Sequence, residues 1–246
     1  MSGLIVEHDA DLKILQLNRP DRANALNADL VQALIDEIDR SAYDGTRTLV
    51  IRGSGRSFCS GFDLGNLEEA IDSEVADRIV DVEKMLQALY HAPVLTVALV
   101  QSMAFGAGAD LVCSCHVRIA EPGSRFCMPG LNFGILLGTR RLKSRIGTDN
   151  TVSVLVNTRV FDADQAIQMG FLTHVASRDT WEQHIESARL AGNAVAASHV
   201  RRMLNVVADD TRHEDMADLI DSVSEPGLVQ RIVDYRNTMR KQSGKA

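Results

Sequence analysis

The chain has 246 residues, of which 45% are hydrophobic and 24% are charged, and this balance is typical of a soluble globular protein with a sizeable core. Its formal net charge of −7 argues against a nucleic-acid partner, because nucleic-acid binding requires a basic surface. No apolar run approaches the ~20 residues that span a bilayer, and residues 1–10 lack the layout of a signal peptide. We therefore expect a cytoplasmic protein with no membrane partner.

The N-terminal part of the chain alternates strand patterns with helix patterns. Residues 4–6 and 12–17 predict a pair of strands joined by a tight turn, and Asn27 is a suitable N-cap for an amphipathic helix. A short β-branched strand at residues 48–51 and a second amphipathic helix follow. Residues 94–100 are apolar on both faces apart from one threonine, which suits a strand that is covered on both sides. This alternation predicts an α/β core with right-handed crossovers.

Two loops rich in small residues, at residues 58–64 and 104–111, follow apolar strand patterns and open toward helices. Glycine and alanine allow a backbone N–H to approach a ligand closely, because a larger side chain would occupy the ligand's space. Two such N–H groups that converge on one oxygen would stabilise negative charge developing there, and a helix beginning at Gly106 would add its positive end. Each loop alone is typical of an ordinary turn, whereas the pair indicates an oxyanion hole.

Several motifs carry a resemblance to a known family. Residues 17–27, with the sequence L-N-R-P-D-R-A-N-A-L-N, resemble the opening signature of the crotonase superfamily, the enoyl-CoA hydratase/isomerase family. The two loops resemble its oxyanion-hole segments, and residues 151–175 resemble its later helix, turn, helix and strand. The resemblance implies a crotonase-like α/β spiral of ββα units over residues 1–190. It also implies a helical region over residues 191–246 that packs in a homotrimer or hexamer.

The resemblance further implies which residues form the site. The two oxyanion donors fall on the backbone N–H groups of Phe62 and Ala107, and the family's first acid falls on Asp110. The substrate is expected to be an acyl-CoA thioester, with no tightly bound cofactor and no metal. The residues expected to bind the CoA and acyl parts of this substrate are Arg22, Ala23, Ala25, Ser60, Gly61, Asp63, Leu64, Gly106, Pro129 and Gly130.

Two departures from the family pattern bear on the chemistry. The family's hydratases carry a glutamate at each of two positions, and here these positions hold Asp110 and Gly130. Hydration needs one group to activate water and another to protonate the α-carbon, and glycine can transfer no proton. Residues 134–142 also resemble the family's glycine-rich loop with a few residues missing, which predicts a reshaped acyl pocket.

The strand patterns end after Thr180, and three helical stripes follow at residues 200–207, 216–223 and 228–239. Such short helices need a partner surface, so we expect them to pack either on the core or against other subunits. Residues 225–246 hold five basic residues against two acidic ones. These basic residues would meet the phosphates of CoA or, taken singly, complement the end of a helix.

Three functions are compatible with these patterns. The favoured one is an acyl-CoA enzyme of the lyase or isomerase type in fatty acid metabolism, in which Asp110 is the single proton carrier for a double-bond shift or a protonation step. Glu68, Glu69 and Asp72 would supply any second acid, although such a run is typical of a solvated helix face. The missing second acid favours instead a catalytically silent acyl-CoA-binding or regulatory subunit. A dinucleotide-dependent oxidoreductase is the weakest interpretation, because the third glycine of its motif is absent.

Overall fold

Nine strands and nine α-helices form the computed structural model over the residues that it describes, 3–243, apart from the side chains of Arg240, Gln242 and Ser243. The strands are β1 (Leu4–Asp9), β2 (Leu12–Leu17), β3 (Thr48–Gly53), β4 (Leu95–Val100), β5 (Met103–Phe105), β6 (Val117–Ala120), β7 (Arg125–Cys127), β8 (Phe161–Asp162) and β9 (His174–Val175). The helices are α1 (Ala28–Arg40), α2 (Asp72–Tyr90), α3 (Ala107–Cys113), α4 (Thr139–Val156), α5 (Ala163–Met169), α6 (Trp181–Asn193), α7 (Ala197–Val207), α8 (Arg212–Ser224) and α9 (Leu228–Ser243). The strands and helices predicted for the N-terminal part are confirmed.

Six strands form the main sheet in the order β1-β2-β3-β4-β6-β9. β1 is antiparallel to β2, and every other pair of neighbours is parallel. β4 lies inside this sheet, and all of its residues except Leu95 are buried, as expected for a strand that is covered on both faces. A second, smaller sheet has the order β5-β7-β8. A bridge between Cys59 and Ala104 extends the smaller sheet to the segment that follows β3.

Each of the inner parallel strands continues into the smaller sheet and then into a helix. β4 is followed by β5 and α3, and β6 is followed by β7 and α4. β3 is followed in the same way by the bridge at Cys59 and then by α2. Ser102, whose φ of 56° lies in the left-handed region, forms the corner between β4 and β5. These successive turns confirm the predicted α/β spiral of ββα units.

Helices cover both faces of the main sheet. α1 begins at the predicted cap, where the Asn27 side chain accepts a hydrogen bond from the Leu30 N–H at 3.2 Å. The buried apolar residues of α1 and of the second half of α2 join one large apolar core with β2, β3 and β4. On the opposite face, Trp181, Ile185 and Ala188 of α6 form a second apolar cluster with residues of the sheet. The sheet is therefore enclosed between two apolar layers.

The C-terminal helices α8 and α9 return to the core of the same chain. The Asp72 carboxylate, at the start of α2, accepts hydrogen bonds from the Gly227 N–H at 2.7 Å and the Val229 N–H at 2.9 Å, and so anchors the start of α9. The apolar residues of α8 and α9 that pack against α2 are Leu219, Val223, Leu228 and Ile232.

α7 buries much less of its apolar stripe than α8 and α9 do. Leu204 is buried, whereas Met203, Val206 and Val207 are exposed. The three predicted helical stripes are confirmed as helices, and their packing against other subunits stays a prediction. The predicted domain boundary between residues 190 and 191 falls within α6. Across residues 3–243, the helices are too short or too polar to cross a membrane.

Candidate active site

One buried side chain holds the first loop of the site against the core. The Asn24 amide, which is 0% exposed, donates to the carbonyls of Ser54 and Ser57 at 2.9 Å and of Phe58 at 3.1 Å. Its Oδ1 accepts a hydrogen bond from the Arg19 N–H at 2.9 Å. Loss of the amide would leave buried carbonyls unpaired, so Asn24 fixes the loop relative to the end of β3. A single asparagine in a loop gives little sequence signal, and this residue was not among the predicted ones.

Backbone hydrogen bonds then align the first loop with the segment at residues 58–64. The Ser60 N–H donates to the Ala23 carbonyl at 2.9 Å, and the Leu26 N–H donates to the Gly61 carbonyl at 2.8 Å. The Asp63 N–H donates to the Leu26 carbonyl at 3.1 Å. The two segments therefore run side by side, with Leu26 opposite Phe62.

The two predicted oxyanion loops lie in direct contact. The Phe105 N–H donates to the Cys59 carbonyl at 3.0 Å. Gly61 has a φ of 91°, and a Cβ at this position would lie 2.5 Å from the Phe105 carbonyl oxygen and 3.2 Å from the Ala107 nitrogen. Both the backbone conformation and the lack of space require glycine here. The loops that are far apart in sequence thus meet next to Ala107.

Within residues 3–243, the N–H groups of Phe62 and Ala107 are left without acceptors. Leu26 forms backbone hydrogen bonds with Gly61 and Asp63, the residues on either side of Phe62. Because neighbouring residues of an extended segment face opposite sides, the Phe62 N–H points away from Leu26. Ala107 is the first residue of α3, where N–H groups have no acceptor within the helix. Among the loop and cap hydrogen bonds of residues 3–243, none has either N–H as its donor.

A cavity of about 340 Å³ adjoins both residues, and this is the size of a small-molecule site. Its wall is largely apolar, and its ionisable side chains within the described residues are those of Asp110, Cys127 and Tyr235. Ile135 and Leu137 of the shortened loop also form part of the wall. The predicted site residues that line the cavity are Ser60, Phe62, Leu64, Gly106, Ala107, Asp110, Pro129 and Gly130.

Asp110 is the carboxyl group of this cavity. It follows Ala107 by one turn on the same face of α3 and is only 4% exposed. Its Oδ1 has no hydrogen-bond partner within residues 3–243. Burial raises the pKa of Asp110 to about 8, the positive charge of Arg141 opposes this shift, and the negative charge of Glu83 adds to it. The group therefore exchanges its proton close to neutral pH.

A buried ion-pair network lies next to Asp110. The Arg141 guanidinium donates to the Glu83 carboxylate at 2.8 Å and to the Asp215 carboxylate at 3.3 Å, and all three side chains are buried. The charge of Arg141 is therefore neutralised largely by residues other than Asp110. Gly138, with a φ of 65°, comes so close that a Cβ there would lie 2.2 Å from the Asp110 Oδ1. Gly138 thus leaves the space that the Asp110 carboxyl occupies.

The raised pKa makes the stability of the protein depend on pH. Folded Asp110 keeps its proton up to a pH of about 8, whereas the ordinary value of an aspartate is 3.8, so the free energy of unfolding falls as pH rises between these values. In the wild type, the free energy of unfolding should fall by about 1.4 kcal/mol per pH unit, which is the value for one proton, and we expect Asp110→Asn to remove this decrease. Urea denaturation of the wild type and of Asp110→Asn at about pH 5, pH 6 and pH 7 measures this slope. Equal slopes would contradict a protonated Asp110 in the folded state.

Other predicted residues lie beside the cavity. Arg22 and Asp63 face an open polar groove. Asp63 forms an ion pair with Arg19 at 2.7 Å. Burial raises the pKa of Asp63, but hydrogen bonds from the Gly65 N–H and from Arg19 outweigh this effect and hold the pKa below its ordinary value. The predicted residues that line neither space within residues 3–243 are Ala23, Ala25 and Gly61.

The acids that could have assisted Asp110 point elsewhere. Glu68 forms an ion pair with Arg236, Asp72 caps α9, and Glu69 faces the polar groove. None of the three lines the cavity in the described part of the chain. Asp110 is thus the one carboxyl on the cavity wall among residues 3–243.

Helix α9 supplies a wall of the cavity that no prediction assigned to it. Ile232, Tyr235 and Met239 line the cavity together with Phe133. Arg231, one of the basic residues that would meet CoA phosphates or complement a helix end, donates to the Phe133 carbonyl at 3.0 Å. The helical stripe of α9 shows in the sequence that one face is apolar, but nothing in it indicates which surface that face covers.

Comparison with known proteins gives concordant matches. Residues 7–220 match the family model for enoyl-CoA hydratase/isomerase. The chain is 31% identical over 207 residues to the Mycobacterium tuberculosis protein echA6, assigned as an enoyl-CoA hydratase, covering 82% of this chain and 81% of the relative. It is 32% identical over 186 residues to the 2,3-dehydroadipyl-CoA hydratase of Escherichia coli, covering 73% of this chain and 71% of the relative. A crystal structure assigned as an enoyl-CoA hydratase/isomerase from Bordetella parapertussis has a TM-score of 0.93 and 38% identity, covering 95% of this chain and 98% of that one.

Proposed function

Since the chain belongs to the enoyl-CoA hydratase/isomerase family of the crotonase superfamily, we propose that it is an enzyme that shifts a double bond in an enoyl-CoA thioester. The observation that carries this proposal is a cavity that, among residues 3–243, is bordered by two backbone N–H groups without acceptors and by one carboxyl group, that of Asp110. Hydration calls for two proton-transferring groups, whereas a double-bond shift can use one group twice. Gly130 offers no second group.

The N–H groups of Phe62 and Ala107 would hold the thioester oxygen. Removing a proton from the α-carbon of a β,γ-unsaturated thioester places negative charge on this oxygen. Fixed donors in a site closed to water stabilise such charge most strongly in the transition state, because they need no reorganisation when the charge appears. Ala107 and Phe62 are supported as these donors by their shared cavity and by the absence of internal acceptors among residues 3–243.

Asp110 would then carry the proton between two carbon atoms. Its carboxylate form takes the proton from the α-carbon and leaves a dienolate, and the resulting carboxylic acid returns the proton to the γ-carbon. The product is the α,β-unsaturated thioester, and the carboxylate is regenerated. A pKa of about 8 suits both steps, because the group neither holds nor releases its proton strongly near neutral pH.

The CoA moiety would extend from the cavity toward the polar groove. Arg22 and Asp63 face this groove, and Ser60 lies on the cavity wall beside the same segment. Ala23, Ala25 and Gly61 would contribute backbone atoms to the passage. We further propose a homotrimer or hexamer, which would cover exposed apolar residues of α7 such as Val206 and Val207.

Proton exchange in deuterium oxide tests this function. We expect the protein to replace the α-protons of a saturated acyl-CoA with deuterium, detected by loss of their NMR signal. This requires that Asp110 removes an α-proton, exchanges it with the solvent and returns a deuteron to the α-carbon, with no transfer to the γ-carbon. Asp110→Asn is the control and should exchange far more slowly. Absence of exchange and of double-bond shift across a broad panel of acyl-CoA thioesters would contradict the proposal.

A catalytically silent acyl-CoA-binding subunit is the second candidate. It is favoured by Gly130, which offers no second proton-transferring group. Calorimetry distinguishes the two functions. Tight binding of acyl-CoA without proton exchange would support the silent subunit.

A further inference from the structure

Tyr235 of α9 stands between the cavity and a second space on the surface. The cavity has a volume of about 340 Å³, and a groove of about 700 Å³ also borders α9. Tyr235 and Met239 line both spaces. The groove is otherwise lined by more polar residues, among them Asn132, Asn157 and Asp234.

The Tyr235 side chain is fixed in this position. Its ring packs against that of Phe133 at a centroid distance of 5.2 Å and an angle of 54°. Burial raises the pKa of Tyr235, so its hydroxyl stays protonated at neutral pH. The ring contact thus holds the side chain where it lines both spaces.

The helix that carries Tyr235 is anchored independently of this side chain. Arg231, one turn earlier, donates to the Phe133 carbonyl at 3.0 Å and to the Pro226 carbonyl at 2.7 Å. Arg236, the next residue, forms an ion pair with Glu68. Ile232 is 2% exposed within the apolar cluster shared with α2. Truncating Tyr235 should therefore open a connection between the cavity and the groove without displacing α9.

We propose that Tyr235 closes the end of the acyl cavity and sets the longest acyl chain that the protein accommodates. The proposal rests on the proposed function in one respect, namely that the acyl group occupies this cavity. With the ring removed, the cavity and the groove become continuous, and longer chains can pass between them.

Binding of a series of straight-chain acyl-CoA thioesters, from butyryl-CoA to hexadecanoyl-CoA, tests the proposal by calorimetry. In the wild type, Kd should fall about fourfold for each methylene that becomes buried, and then level off when the chain reaches Tyr235. In Tyr235→Ala, Kd should level off only at an acyl chain that is at least two methylenes longer. A chain two methylenes longer than the wild-type limit should then bind about 16-fold more tightly to this variant than to the wild type.

Matched variants make the outcome decisive. Tyr235→Phe keeps the ring and should level off where the wild type does, whereas Tyr235→Leu should resemble Tyr235→Ala and replaces it if the alanine variant does not fold. The same limit in wild type, Tyr235→Ala and Tyr235→Leu would overturn the role of Tyr235, as would a limit in Tyr235→Phe that matches Tyr235→Ala. Acyl-CoA binding by the wild type that is no tighter than binding of free CoA would overturn the proposed function and this inference together.

Discussion

Asp110→Asn is expected to lower kcat for the double-bond shift by a factor of about 100 to 10,000, the usual contribution of a positioned proton carrier. The amide has nearly the same shape as the carboxyl group but cannot accept the α-proton. Asp110 is the one carboxyl on the cavity wall among residues 3–243, so no neighbour in that part of the chain can take over its role. Acyl-CoA affinity should change little, because the thioester oxygen is held by backbone groups.

The pH profile provides the second readout for Asp110. Because the carboxylate is the form that removes the proton, kcat/KM of the wild type should rise with pH and level off above the pKa of about 8. Any residual activity of Asp110→Asn should lack this rise. Asp149→Asn is the matched control, since it makes the same chemical change at an exposed position of α4. Unchanged turnover of Asp110→Asn on every accepted thioester would contradict the assigned role.

Ala107→Pro is expected to lower kcat by a factor of about 100 to 1,000, the effect of removing one donor from an oxyanion hole. Proline lacks the backbone N–H, and Ala107 is the first residue of α3, where proline is well tolerated in helices. The substitution therefore removes the donor while the helix is retained. Steady-state turnover and the melting temperature should be measured on the same preparation.

Two controls separate the loss of the donor from a loss of the site. Ala107→Gly keeps the N–H and removes only a methyl group, so it should retain most of the activity. Free CoA has no thioester carbonyl, and its affinity should be the same for Ala107→Pro and for the wild type. If Ala107→Pro kept the wild-type kcat, the backbone of α3 would have no part in the reaction.

The elements that the sequence predicts well are those with local causes. The cap at Asn27, the two-sided apolar pattern of β4 and the apolar stripe of α2 depend on neighbouring residues, and all are present as predicted. α6 was not predicted, although Trp181, Ile185 and Ala188 have the spacing of a buried helical face. Three apolar positions in a polar segment give a weak periodic signal.

The parts of the site that the sequence does not reveal depend on contacts between distant segments. The raised pKa of Asp110 requires the burial of α3, to which the charge of Glu83 in α2 adds and which the charge of Arg141 in α4 opposes; all three residues lie far apart in the sequence. The position of Tyr235 requires that α9 returns to the cavity of its own chain. Periodicity identifies an apolar face but carries no information about its partner.

The wall of the cavity is made in two different ways. Near Phe62 and Ala107 it consists of loops that backbone hydrogen bonds hold together, whereas residues 131–137 and α9 line it largely with bulky apolar residues. Main-chain geometry tolerates exchange of most residue types, while a wall of side chains changes shape with each replacement. Substitutions in residues 131–137 and α9 can therefore broaden or narrow the range of acyl groups, and leave the hydrogen bonds to the thioester oxygen unchanged.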